Sequence, residues 1–240
     1  MTAAPVVADL VAANRILYAR GVLDGFGHVS ARDPQDAGAF LLSRNLAPAS
    51  VGPDDVMRFT LDGAAAAGDD RRPYLERFIH GAIYAARPDV GAVVHSHSPA
   101  VIPFGIAQGA RLRAVSHMSG FLGDGVPVFE IRDAAGDDTD MLIRDPVLGA
   151  ALASALGAHA VVLMRGHGST AVGRDVRQAV FRAVYTEVNA RLQSDALRLG
   201  ELVPLNAREA QRAALTNDGQ IDRAWELWRR EAGLAPSLSP

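Results

Sequence analysis

Apolar residues recur along this chain in three patterns: a helical period, a strand-like alternation, and short unbroken runs. Together they lay out an interleaved series of helices and strands. Val6, Leu10, Val11, Ile16 and Leu17 follow a helical period that Gly21 closes, predicting a helix over 6–20. A glycine-bounded turn over 25–27 leads into a short strand, and Phe40, Leu41 and Leu42 begin another that ends in Ser43, Arg44 and Asn45. Residues 56–61 read as a strand running into the turn pair Asp62 and Gly63. The most regular period is Leu75, Phe78, Ile79, Ala82, Ile83 and Ala86, a helix that stops before Pro88. Glu76 and His80 stand four apart on it, a spacing whose ordinary explanation is a surface ion pair.

Beyond that helix, an apolar run from Ala92 ends in His95, Ser96 and His97, and 100–106 reads as helix or turn. Residues 126–131 alternate like a strand, with Pro127 placing it at an edge. Helices are predicted over 146–156, opened by Pro146, over 176–199, stopped by Gly200, and over 207–215 and 221–232. Between the first two of these lies the unbroken apolar strand 160–164. The last residues, 236–240, read as a frayed tail. No repeat or linker divides the chain, so one α/β domain over 1–240 is expected.

Composition narrows the chemistry. With 240 residues, 49% of them hydrophobic, the chain is long enough to bury a proper core. A net charge of −3 offers no basic stripe for nucleic acid, and no apolar run approaches the roughly 20 residues of a membrane span. The first residues lack a basic segment ahead of an apolar one and soon meet Asp9, which points to the cytoplasm. There is no cysteine, which removes disulfides, thiolate ligands and thiol nucleophiles together. All 24 basic residues are arginine, so no lysine can form a Schiff base. Carbonyl activation is left to a metal or to hydrogen bonds.

His95 and His97, two apart at a strand end, point to the same face and can reach one point in space. Two exposed loop histidines are the plain alternative. His167, at the end of the strand 160–164 and flanked by Gly166 and Gly168, is the natural third ligand, because glycines let the backbone approach closely. Three neutral imidazoles around a divalent ion leave a position open, the arrangement of a catalytic site.

On Gly27, His28, Val29 and Ser30, on the segment from Glu76 through His80 and Tyr84 to Pro88, on His95-Ser96-His97, and on Arg165-Gly166-His167-Gly168, the chain resembles the class II aldolase/adducin family over most of its length. The resemblance implies a three-layer α/β/α fold with a central mixed, largely antiparallel sheet, and fourfold homotetramers with active sites near subunit boundaries. It implies that His95, His97 and His167 hold a divalent ion, Zn first and Mn, Fe, Co or Mg as alternatives, with Glu76 as the acid/base carboxylate. An enolate stabilised by such an ion serves retro-aldol cleavage and decarboxylation alike.

Departures from the sugar-phosphate aldolases within the family bear on the substrate. His28 replaces an asparagine, Ser43-Arg44-Asn45 replaces a phosphate-binding loop, and Pro73-Tyr74-Leu75 stands where a pair of serines belongs. Phosphate binding is not expected. His28, Ser43, Arg44, Arg72 and His117 are instead the candidate substrate-binding residues, since guanidinium and imidazole suit carboxylates. Any one of these arginines taken alone reads as a solvated surface charge. The segments around His117, Pro127 and Met164 resemble the decarboxylase branch that acts on dihydroxyphthalates and carboxylated hydroxymuconic semialdehydes. The expected partner is a small carboxylate substrate. An aldolase or epimerase, an adducin-like scaffold and an Fe(II) oxygen-activating enzyme are the alternatives. Trp225, Trp228 and Arg229 are candidates for reaching a neighbouring subunit's site.

Overall fold

The computed structural model describes residues 3–235. In chain order its elements are α1 (Ala3–Ala19), β1 (His28–Arg32), β2 (Ala39–Ser43), β3 (Val56–Thr60), α2 (Arg77–Ala86), β4 (Ala92–Ser96), α3 (Ile102–Ile106), β5 (Val128–Phe129), α4 (Arg132–Ala135), α5 (Pro146–Leu156), β6 (Val161–Met164), β7 (Gly168–Gly173), α6 (Val176–Leu199), α7 (Ala207–Asp218) and α8 (Ile221–Glu231). The strands form one sheet in the order β3-β2-β1-β4-β7-β6-β5. Every neighbouring pair is antiparallel except β5 and β6, so the sheet is mixed and largely antiparallel as expected.

Alternation along the strands divides the core into two layers. Val29, Ala31, Leu41, Val94 and Leu163 face a layer shared with Leu10 and Ile16 of α1, Val180 of α6 and Trp225 of α8. Phe40, Leu42, Val93, Val162 and Val172 face the other, shared with Ile79 and Ile83 of α2 and Leu152 of α5. The inner strands β1, β2, β4, β6 and β7 therefore bury both faces, which is why 92–94 and 161–163 read as unbroken apolar runs. Side-chain caps fix two of the long helices: Asp145 accepts the Leu148 N–H at 2.9 Å, and Asp175 accepts the Gln178 N–H at 2.8 Å.

Three elements differ from the sequence reading. The strand over 126–131 shrinks to Val128–Phe129 at the sheet edge, because Pro127 has no N–H to give and the chain turns into α4. Helix α2 begins at Arg77, leaving Leu75 outside it and 53% exposed. Strand β7 has no counterpart in the sequence reading; its residues Gly-Ser-Thr-Ala-Val-Gly lack the large alternating side chains that mark a strand. The tail 236–240 lies outside the described residues.

Strand β7 is what places the site. It folds back from β6 through a turn at Arg165, Gly166 and His167, with Gly166 at a φ of 64° that suits glycine, and pairs with β4 in the register Ser96 opposite Ser169. A methyl at Gly168 would run into the Ser96 carbonyl across this seam. Gly168→Ala is expected to cost about 1–3 kcal/mol, roughly 3–10 °C in the thermal midpoint. Calorimetry checks this, and an unchanged midpoint would mean that the seam yields.

Candidate active site

The β4–β7 register brings the β6–β7 turn beside the end of β4, so His167 meets His95 and His97 although 70 residues separate it from His97. Nε2 of His97 lies 3.2 Å from Nε2 of His95 and 2.9 Å from Nε2 of His167. His167 turns its Nδ1–H to the Met141 carbonyl at 3.0 Å, which leaves the Nε2 lone pair directed into the cluster. Met141 is the only non-glycine residue at positive φ (69°) among the described residues. Such strain is kept where the surrounding structure requires it, and here it aims the carbonyl at His167.

Glu76 completes the cluster from the residue just before α2. Its Oε1 accepts the Ile143 N–H at 3.0 Å, and its Oε2 stands 3.5 Å from His95 Nε2 and 3.6 Å from His167 Nε2. All four candidate ligand atoms lie within 4.8 Å of one another. Burial alone would raise the Glu76 carboxyl, but the His95 and His167 imidazoles and the Ile143 N–H outweigh it and hold the group below the ordinary carboxylate range. Burial, aided by the neighbouring imidazoles and opposed by the Glu76 carboxylate, pushes His97 down to about 4 and lowers His167.

This donor set fits a divalent cation. His167 Nε2, whose Nδ1–H is engaged by Met141, presents a lone pair toward His97 Nε2 at 2.9 Å, and His95 Nε2 stands 3.2 Å from the same atom, a spacing that suits ligands of one cation. Ligands on a tetrahedral ion with bonds of about 2.0–2.1 Å stand about 3.3 Å apart, close to the spacing here. Three histidines would hold the ion, with Glu76 at its side.

The remaining site candidates separate. His28 lies with the cluster, its ring centroid 5.0 Å from that of His95, its opposite number across the β1–β4 pairing. Ser43 is buried one layer back, donating to the Tyr74 hydroxyl at 3.4 Å, while the Tyr74 ring packs on His28 at 4.7 Å. Arg44 is tied to Asp55 at 2.6 Å, so its charge is already matched. Arg72 and His117 are exposed, and no contact with the cluster is recorded for either among the described residues. The surface ion pair expected of Glu76 and His80 is overturned: both are buried, Glu76 beside His95 and His167 and His80 bonded to His28 and Ser30, because this face of α2 meets the sheet. Trp225 and Trp228 are buried in their own subunit's core, and Arg229 is engaged with the Ala235 carbonyl, which removes the two tryptophans as candidates for a neighbour's site.

The sequence reading gave no role in the site to Ser30, Tyr84, Met141 or the Ile143 N–H. Two of these had a signal: Ser30 is two from His28 on a strand, and Tyr84 four from His80 on a helix. Nothing local marks Met141 or Ile143. Phe26 was also passed over; it is 70% exposed with its ring 6.3 Å from that of His97.

The chain is similar to known proteins in sequence and in fold. The chain is 37% identical to decarboxylase tropJ of Talaromyces stipitatus, covering 97% of each chain. It is 31% identical to a 3,4-dihydroxyphthalate decarboxylase of Arthrobacter keyseri, covering 91% of this chain and 89% of that one. The solved L-fuculose 1-phosphate aldolase of Glaciozyma antarctica shares the fold, with a TM-score of 0.76 at 24% identity over 95% of this chain and 90% of that one. Residues 8–194 match the class II aldolase and adducin N-terminal domain, and the chain therefore belongs to the class II aldolase and adducin family.

Proposed function

We propose that this protein is a metal-dependent decarboxylase of a small carboxylated aromatic or muconic semialdehyde acid. The observation that carries the reading is the convergence of three imidazoles and one buried carboxylate, in a chain whose extended relatives are named decarboxylases. His95, His97 and His167 hold the ion in this reading, with Zn first and Mn, Fe, Co or Mg as alternatives. When bound, a divalent ion supplies Lewis acidity for the negative charge that develops on a substrate oxygen as CO₂ leaves.

The protein's own residues supply the rest. Departure of CO₂ leaves the bonding electron pair on the substrate carbon. Glu76 Oε2 takes the proton of a substrate hydroxyl and returns it to that carbon, while solvent restores the hydroxyl. The Ile143 N–H holds the other carboxylate oxygen, fixing which one reacts. Tyr74 packs on His28 where the aldolases carry serines, so phosphate finds no cradle there. A fourfold assembly and a cytoplasmic location belong to the same reading, and the family supports the first. No helix among the described residues is long and apolar enough to cross a membrane.

A panel of carboxylated catechols and carboxylated muconic semialdehydes, offered to Zn-loaded protein, is expected to include a compound that releases stoichiometric CO₂. An aldehyde fragment or a stereoisomer formed without CO₂ would replace the reading with an aldolase or an epimerase. A protein with no affinity for divalent ions would point to a scaffold.

A further inference from the structure

Beneath the histidine cluster runs a second series of polar side chains that metal ligation does not require. His28 Nδ1 lies 2.6 Å from His80 Nε2, His80 Nδ1 lies 2.6 Å from Ser30 Oγ, and Ser30 Oγ lies 2.8 Å from the Tyr84 hydroxyl. All four residues are buried, none more than 3% exposed. Helix α2 supplies His80 and Tyr84 one turn apart, and β1 supplies His28 and Ser30 on one face of a strand, so the two periods mesh.

Distances alone do not orient the chain, but its buried end does. The Tyr84 hydroxyl has one hydrogen to place, and Ser30 Oγ is the side-chain partner recorded for it among the described residues. Were Ser30 to donate to Tyr84, the phenol hydrogen would be left without an acceptor in the core, the costlier of the two possible defects. Tyr84 therefore donates to Ser30, and Ser30 donates to His80 Nδ1. A lone pair at Nδ1 means that His80 is uncharged, in keeping with the full burial of its ring. A neutral His80 that accepts at Nδ1 carries its proton on Nε2 and donates it to His28 Nδ1. The His28 proton is then on Nε2, across the ring from His80. No protein partner is recorded for that nitrogen among the described residues, and the ring packs between Tyr74 and the metal-side His95.

We propose that the Tyr84–Ser30–His80 chain locks His28 in the Nε2–H tautomer, making it a neutral hydrogen-bond donor to a substrate oxygen beside the metal ligands. The substrate contact rests on the decarboxylase reading, whereas the tautomer does not. A neutral donor grips a carboxylate or carbonyl oxygen without placing a second positive charge next to the ion. Tyr84, Ser30 and His80 are positioning residues in this scheme, acting through His28.

Two-bond ¹H–¹⁵N correlation spectra of ¹⁵N-histidine-labelled, Zn-loaded protein at pH 7 read the tautomer directly. The expected result is His28 protonated at Nε2 and bare at Nδ1. Tyr84→Phe keeps the ring packing but removes the terminal donor; it is expected to give mixed His28 tautomers, unchanged zinc content and a KM about 10-fold higher, with a smaller change in kcat. Ser30→Ala, which cuts the chain in the middle, is expected to do the same. An Nδ1–H His28 in the unmodified protein overturns the proposal, as does a tautomer untouched by both substitutions. If neither variant folds, the spectrum of the unmodified protein decides. A protein that releases no CO₂ from any panel compound yet shows the Nε2–H tautomer refutes the decarboxylase reading and leaves the relay standing.

Discussion

Glu76→Gln is expected to retain the divalent ion and lose about 10²–10⁴-fold in turnover, the range that a positioned acid/base group contributes. The substitution preserves shape and one acceptor. The glutamine oxygen can still take the Ile143 N–H that Glu76 Oε1 accepts at 3.0 Å, so the side chain stays anchored. What changes is the other atom, which sits 3.5 and 3.6 Å from His95 and His167 and becomes an amide nitrogen unable to take or return a proton. Zinc content by mass spectrometry after gel filtration should match the unmodified protein, while CO₂ release collapses. A fully active Glu76→Gln protein would exclude the acid/base role, and one that loses the ion would make Glu76 a ligand instead.

His97→Ala is expected to lose tight metal binding and about 10³-fold or more of activity, since several kcal/mol of charge stabilisation depart with the ion. His97 stands just past the end of β4 and is partly exposed, so removing its ring opens the cluster without hollowing the core that surrounds fully buried His95. Chelation followed by buffer exchange should reproduce the loss in the unmodified protein, and added Zn²⁺ should restore it there. Full activity in metal-free buffer would sink the metal-dependent reading altogether.

Much of this was legible along the chain because it is local. The i, i+2 pair of His95 and His97 marks a strand end, the glycines around His167 mark a close approach, and the apolar periods place α1, α2, α5, α6, α7 and α8 within a few residues of where they form. Strand β7 escaped because its small side chains carry no amphipathic signal; its conformation is set by pairing with β4 on one side and β6 on the other. Glu76 and His80 show the same limit on a helix. Spacing four apart puts two side chains on one face, but whether that face meets water or a sheet depends on what packs against α2.

By itself the sequence determined which residue types could do the chemistry: three imidazoles, one carboxylate, no thiol and no lysine, together with the strand and helix periods that aim most of them. Tertiary structure decided the rest. It set His167 beside His97 through the β4–β7 register, matched Arg44 with Asp55, and left Arg72 and His117 at the surface. It also ran His28 into a buried relay that ends at Tyr84. The physical reason is that periodicity fixes only where a side chain points relative to its own backbone. Its neighbours, and hence its charge, tautomer and access to a ligand, are fixed by contacts between segments tens of residues apart.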